Sequence, residues 1–345
     1  MTIPVFDGHN DLLLALATGG TTVALVRDGG GPTQIDAPKA QAGGLAGGLF
    51  ALWAWDEDED FGPLEGASYD PPLPGALDEG AALRRVIAEV AEFRALAAAG
   101  VIRPCVTAAE IEAALPGEAM AAVLHLEGAD CIDPEFRALH VLHALGLRSM
   151  GLVWSRKTRW AEGVPFRFPS GPDTGPGLTE EGRALVREAG TLGIALDLSH
   201  LNEKGCDDVA ALTGKPLIAS HSCAHALAPH ARNLTDRQLD QIAETGGLVG
   251  LNFARAFLSP DGQMGADVRL ETVIRHLDHL LEHLGEGGVA LGSDFDGAQV
   301  PEEIGDAAGL PALIGAMERA GYGEALIRRI AHGNWVDVLR RTWGA

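Results

Sequence analysis

Short apolar runs along the chain alternate with longer segments in which apolar residues recur every three or four positions. That alternation predicts strands separated by helices. Eight runs have strand character: Val5–Asp7, Gly48–Trp53, Ala122–Leu126, Ser149–Val153, Ile194–Leu198, Leu217–Ser220, Leu248–Asn252 and Val289–Gly292. Amphipathic helices are expected over Ala81–Ala99, Pro134–Leu145, Thr179–Thr191, Thr235–Thr245 and Leu270–Leu284. Thr179, with the carboxylate of Glu181 close behind, has the pattern of a helix start. Eight strands alternating with helices predict a closed parallel (β/α)8 TIM barrel as one domain over residues 1–345, with a doubly wound open sheet as the competing arrangement.

Two stretches break the pattern. Trp55–Gly75 is acidic and proline-rich and follows the second expected strand; Arg156–Gly177 follows the fourth. Long loops after strands are where barrels carry recognition elements. The acidic run Asp56–Asp60 matches no cation-loop spacing and reads as a solvated face.

Composition narrows the function classes. The chain has 345 residues, 46% of them hydrophobic, which is ample for a large core. A formal charge of −22 opposes nucleic acid and anionic membranes as partners, and a small anionic substrate then needs local positive charge from metal or arginine. No apolar stretch is long and unbroken enough to span a bilayer. Cys105, Cys131, Cys206 and Cys223 show no CxxC spacing and read as reduced thiols. With no signal-peptide pattern at the N-terminus, the expected location is cytoplasmic.

Ligand-type side chains gather at one end of the expected strands. His9 and Asp11 follow the first, Glu127 the third, His200 the fifth, His221 the sixth and Asp294 the eighth. In a barrel these positions share the C-terminal rim, where barrel enzymes keep their active sites. Imidazole and carboxylate are what zinc and similar divalent ions take when thiolate is absent. A glutamate can bridge two such ions, which together polarise a carbonyl and generate a hydroxide nucleophile, while a neighbouring aspartate moves the proton. One such residue alone is a weak signal. Joint placement on five strands is what carries the reading.

With these residues in view, the chain resembles the membrane (renal) dipeptidase family of the amidohydrolase superfamily. The resemblance runs from "DGHND" (Asp7–Asp11) through "EG" (Glu127–Gly128), "DLSH" (Asp197–His200), "SHS" (Ser220–Ser222), "RN" (Arg232–Asn233) and "GSDFDG" (Gly292–Gly297) to "GNW" (Gly333–Trp335). It implies two divalent metal ions, zinc by preference: His9 and Asp11 on one, His200 and His221 on the other, Glu127 bridging, and Asp294 as proton shuttle beside the bridging hydroxide. It implies that Arg232 clamps the C-terminal carboxylate of a dipeptide, with Asn233 beside it in the substrate site. Family members cleave dipeptides, typically accept a D-residue on the C-terminal side, and in some cases hydrolyse a β-lactam. A homodimer is left open.

The chain departs from the family at one place. Well-known members end the fourth strand with a histidine that contacts the scissile carbonyl oxygen, and the local register puts Trp154 there. Indole carries no positive charge, so that stabilisation is lost unless Arg156 or Arg159 replaces it, and Trp154 becomes a candidate substrate contact. An alternative reading is a related amidohydrolase acting on N-acyl amino acids, although its usual bridging lysine finds only Lys157 near the right place. A non-catalytic barrel is disfavoured because every ligand position and Asp294 are retained.

Other histidines are given plainer expectations. His276, His279 and His283 recur at helical spacing like a metal box, but their helix lies outside the barrel and the stripe is expected to face solvent or a subunit. His125 shares its strand face with Glu127 and is expected in the lumen.

Overall fold

The computed structural model describes residues 2–55, 62 and 64–344, so the acidic run Asp56–Asp60 lies outside the described residues. Its strands are β1 (Val5–Asn10), β2 (Leu45–Trp53), β3 (Ile102–Pro104), β4 (Met120–Glu127), β5 (Leu147–Gly151), β6 (Ala195–Asp197), β7 (Ile218–Ser222), β8 (Leu248–Leu251) and β9 (Val289–Leu291). All pairings between them are parallel, in the order β1-β2-β4-β5-β6-β7-β8-β9. A parallel bridge between Asn10 and Phe295 joins the first strand to the chain after the last. Asp7 reinforces that seam by accepting hydrogen bonds from the Ser293 backbone N–H at 2.6 Å and the Ser293 hydroxyl at 2.7 Å. The result is the expected (β/α)8 barrel and not an open sheet.

Each expected strand is present. The additional one, β3, pairs with the start of β4, ahead of the point where β5 begins to pair. Three residues with two of them exposed leave no alternation to read. The five expected helices are present over Glu79–Ala98, Arg137–Ala144, Glu180–Thr191, Asp236–Glu244 and Leu270–Leu284. Thr179 caps its helix by accepting from the Gly182 N–H, which satisfies one of the four amides a helix start leaves unpaired.

The lower lumen is filled by Phe6, Leu49, Val123, Ala195, Ile218, Leu248 and Ala290, one from each of seven strands, packed with Trp335 and Val336. Trp335 belongs to the last helix, Asn334–Trp343, and its indole N–H donates to the Leu291 carbonyl at 2.9 Å. The "GNW" sequence is therefore a plug for the barrel floor. Helices and the outer strand faces form a second, larger apolar cluster around it. The two long loops meet over the opposite, C-terminal end, where Tyr69 and Phe168 exchange backbone hydrogen bonds of 2.9 and 3.0 Å. Among the described residues no helix is long and apolar enough to cross a membrane. All four cysteines are buried and free.

Candidate metal centre

The C-terminal rim gathers the six residues named from sequence. His9 lies within β1 and Asp11 just past it; Glu127 ends β4; His221 lies within β7; His200 and Asp294 each stand three residues beyond β6 and β9. His200, Asp294 and Asp296 have φ of 67°, 61° and 68°. Non-glycine residues pay of order 1 kcal/mol or more for this left-handed backbone, and it turns their side chains in ways a regular strand end does not allow. Two glycines make room. A Cβ on Gly297 would stand 2.1 Å from the Asp11 carboxylate and 2.8 Å from that of Asp294, and one on Gly128 would stand 2.8 Å from the Trp154 amide nitrogen.

Glu127 divides the cluster in two. Its Oε1 lies 3.0 Å from His200 Nε2 and 3.5 Å from His221 Nε2. Its Oε2 lies 3.6 Å from His9 Nε2, which is itself 3.5 Å from an Asp11 oxygen. His9, His221 and Asp294 form a third convergent group. His200 and His221 present their Nε2 atoms to each other at 3.2 Å. Ligands about 2.0–2.1 Å from a tetrahedral ion stand about 3.3 Å apart, so this spacing suits two donors to one centre.

The surrounding hydrogen bonds select which nitrogen faces inward. The Ser155 hydroxyl pairs with His200 Nδ1 at 2.8 Å and that of Ser220 with His221 Nδ1 at 2.7 Å, which leaves both Nε2 atoms for the centre. Asp197 in turn accepts from the Ser199 and Ser220 amides at 3.0 and 2.7 Å. His125 is buried in the lumen as expected, its Nδ1 on the Ser149 hydroxyl at 3.0 Å and its Nε2 3.5 Å from Asp197. Asn252, following β8, donates to Asp294 Oδ2 at 2.9 Å. Ser155, Ser220, Asp197 and Asn252 were not singled out from sequence. The "D" of "DLSH" and the first "S" of "SHS" were the available signals.

Charge and burial make this a place for cations. Burial drives the Glu127 and Asp294 carboxyls above the ordinary carboxylate range. Burial alone would lower His9, but the neighbouring carboxylates of Glu127 and Asp11 outweigh it and raise its affinity for a proton. Burial pushes His200 and His221 well below the usual imidazole value, with the Arg232 charge adding to it, so both are neutral ligand-ready rings. Both nitrogens of His9 are buried without a hydrogen-bond partner. A donor set of imidazoles and carboxylates, with orphaned His9 nitrogens and clustered carboxyls excluded from water, fits divalent metal.

A cavity of about 260 Å³ opens over these groups. Asp11, Glu127, His200, Asp294 and Asp296 supply its polar floor, and Trp53, Leu64, Trp154, Phe166, Phe257 and Met264 supply much of its apolar wall. Trp154 thus lies at the cavity, 5.8 Å from the His200 ring between centroids. Asp296 also accepts from the Gln34 and Ile35 amides at 2.6 and 3.3 Å, which ties the floor to an outer loop.

The remaining expectations divide. Arg232 is buried; it donates to the Ser222 hydroxyl at 3.0 Å and the His221 carbonyl at 2.9 Å, and its guanidinium lies 5.7 Å from the Phe257 ring centre. Asn233 donates to the carbonyls of Ala228 and Phe257, both at 2.8 Å. Neither lines the cavity. Nor do the two arginines considered as replacements for the missing histidine. Arg156 donates to the Ala54 carbonyl behind Trp154, and Arg159 pairs with Glu79 at 3.2 Å. His276 corrects the expected exposed stripe: it is fully buried, with Nδ1 accepting from the Ala224 amide and Nε2 beside the Leu258 carbonyl. The physical reason is that α-helix spacing turned it toward the barrel while His279 and His283 turned toward a neighbouring helix.

Comparison with known proteins identifies the family. Residues 1–343 match the model of the membrane dipeptidase family, peptidase family M19. A crystal structure of a metallo peptidase from Rhodobacter sphaeroides, liganded with a phosphinate mimic of the dipeptide L-Ala-D-Ala, superposes with a TM-score of 0.95 at 47% identity, covering 99% of this chain and 100% of that one. That of a dipeptidase described as an M19 metallo peptidase gives 0.94 at 48%, covering all of both chains. An uncharacterized Klebsiella pneumoniae protein from the pqqA 5′ region is 46% identical over 245 residues, spanning 71% of this chain and 90% of its own.

Proposed function

The chain belongs to the membrane dipeptidase family, and on that premise we propose that it is a binuclear zinc dipeptidase with a preference for dipeptides bearing apolar side chains. The observation that carries this reading is the opposed placement of the two Glu127 oxygens, one against His200 and His221 and the other against His9 beside Asp11. His9 and Asp11 would hold one ion, His200 and His221 the second, and Glu127 both. Bound there, the ions supply Lewis acidity toward the scissile carbonyl and an activated water.

The chain's own groups do the rest. Asp294 faces the cavity with its other oxygen anchored by Asn252, so it can take a proton from the attacking water and deliver it to the departing amine. Trp53, Trp154, Phe166 and Phe257 exclude water from the substrate side chains and favour apolar residues over charged ones. Trp154 contributes apolar packing at the position where better-known relatives place a histidine. Arg232 lies behind the cavity wall, held on the Ser222 hydroxyl and the His221 carbonyl with its Nε unpartnered, and from there its charge would favour the substrate carboxylate. Asn233 acts through Phe257, whose carbonyl it holds. The ligand of the Rhodobacter sphaeroides relative supports tolerance of a D-residue at the C-terminal side.

The test is a panel of L-Xaa-L-Xaa and L-Xaa-D-Xaa dipeptides, with N-acyl amino acids alongside and Asp294→Asn as the control. Metal-dependent dipeptide turnover that collapses in the variant supports the proposal. Turnover of N-acyl substrates alone transfers the site to a different amide class.

A further inference from the structure

A second group of metal-type side chains lies on the outside of the barrel, where the helices Asp236–Glu244 and Leu270–Leu284 run side by side. His279 and His283 stand one turn apart on the second helix, and Asp236 and Asp240 one turn apart on the first. His279 Nε2 lies 2.8 Å from Asp236 Oδ1, and His283 Nε2 lies 3.7 Å from the same oxygen. The two imidazole centroids are 4.8 Å apart. The two histidine-to-carboxylate distances, 2.8 and 3.7 Å, bracket the spacing of about 3.3 Å that separates two ligands on a tetrahedral zinc.

The other nitrogen of His283 has its own partner. Its Nδ1 lies 2.7 Å from Asp240 Oδ1. A carboxylate on the far nitrogen is the arrangement that fixes the tautomer and aims the near nitrogen at a metal. The histidine side chains are only 17% and 20% exposed, so their rings are held by the helix interface. Arg237, the cation nearest in sequence to both aspartates, is turned away onto Glu203 and Asp207 at 2.8 Å each, which leaves Asp236 and Asp240 to the histidines.

We propose that His279, His283 and Asp236 form a peripheral divalent-metal site, with Asp240 orienting His283 and water completing the coordination. Zinc suits two imidazoles and one carboxylate, and the open fourth position keeps the site reversible. Occupancy would tie together the two helices that flank β8. The site is independent of the catalytic centre and requires nothing from it.

The experiment uses the metal-replete enzyme dialysed against low-micromolar zinc, with zinc per chain counted by elemental analysis in the wild type, His283→Gln, Asp236→Asn and Asp240→Asn. The wild type is expected to hold one zinc more than His283→Gln or Asp236→Asn, and to show a zinc-dependent rise in Tm that those two variants lose while dipeptidase activity stays unchanged. Asp240→Asn is expected to keep the zinc with an affinity weaker by about 10–100-fold. Equal zinc content in the wild type and His283→Gln, or an extra zinc held equally by both, would overturn the proposal and leave the cluster as paired histidines and aspartates.

Discussion

Glu127 faces two ways: its Oε1 stands 3.0 Å from His200 Nε2, and its Oε2 stands 3.6 Å from His9 Nε2. A side chain shared in this manner should be needed by both halves of the centre. Glu127→Gln keeps the shape but removes the charge, and is expected to hold fewer than two metals per chain. Activity should fall by roughly 10²–10³-fold, the scale of losing one main electrostatic contributor. Metal analysis beside turnover checks this. A variant with full metal content and full rate would rule out the bridging role.

Ser155 acts on the centre through His200, whose Nδ1 it engages at 2.8 Å. Ser155→Ala is therefore expected to weaken metal binding by about 10–100-fold. Activity should be low in limiting zinc and should recover in excess zinc. An activity deficit that excess zinc leaves untouched would place the role of Ser155 elsewhere.

Asp294 and Asn252 should separate chemistry from metal binding. Asp294→Asn is expected to lower kcat by about 10²–10⁴-fold, the usual contribution of a positioned proton carrier, with most of the metal retained. Asn252→Ala, which frees the carboxylate to rotate, should lower kcat less and leave KM nearly unchanged. Similar kcat for Asp294→Asn and the wild type would remove Asp294 from the reaction.

Trp154 forms part of the apolar wall. Trp154→Ala is expected to raise KM for apolar dipeptides by about tenfold, equivalent to about 1.4 kcal/mol of lost contact, with kcat changed less. Steady-state kinetics on one apolar and one polar dipeptide would show it. Equal losses on both would point to a disturbed metal centre, since the ring also packs near His200.

Glu89 offers a pH-dependent test on the metal-free protein, at a buried carboxyl close to the centre. It is fully buried on the helix Glu79–Ala98, and burial, reinforced by Asp11 and Glu127, raises its carboxyl well above the ordinary range. In the folded protein it stays protonated at pH values where the unfolded chain has released the proton. The native state therefore binds more protons, and stability declines as pH rises above the unfolded value of about 4.3 toward the raised folded one. Glu89→Gln cannot ionise and should escape that decline. Its Tm relative to wild type should improve steadily from pH 5 to pH 8, and a gap independent of pH would refute the assignment.

The eight barrel strands, the long helices and the six rim residues were legible in the chain. Buried parallel strands must be short apolar runs, and the side chains just beyond them must share one rim if the barrel closes. Trp154 at the wall followed from the same register. Other features depended on contacts between distant segments. β3 is too short to show a period, and it exists because β4 offers an edge. Ser155 and Ser220 are ordinary serines until the fold sets them against His200 and His221. Asn233 looked like a substrate contact beside Arg232, yet its amide is taken by two carbonyls, one of them 24 residues away at Phe257. His276, His279 and His283 share a helical stripe in sequence, but packing sends the first into the core and turns the other two onto Asp236 and Asp240. Periodicity reports which side of an element is apolar. Which polar atoms then meet is decided by the register between elements, and that exists only once the barrel has closed.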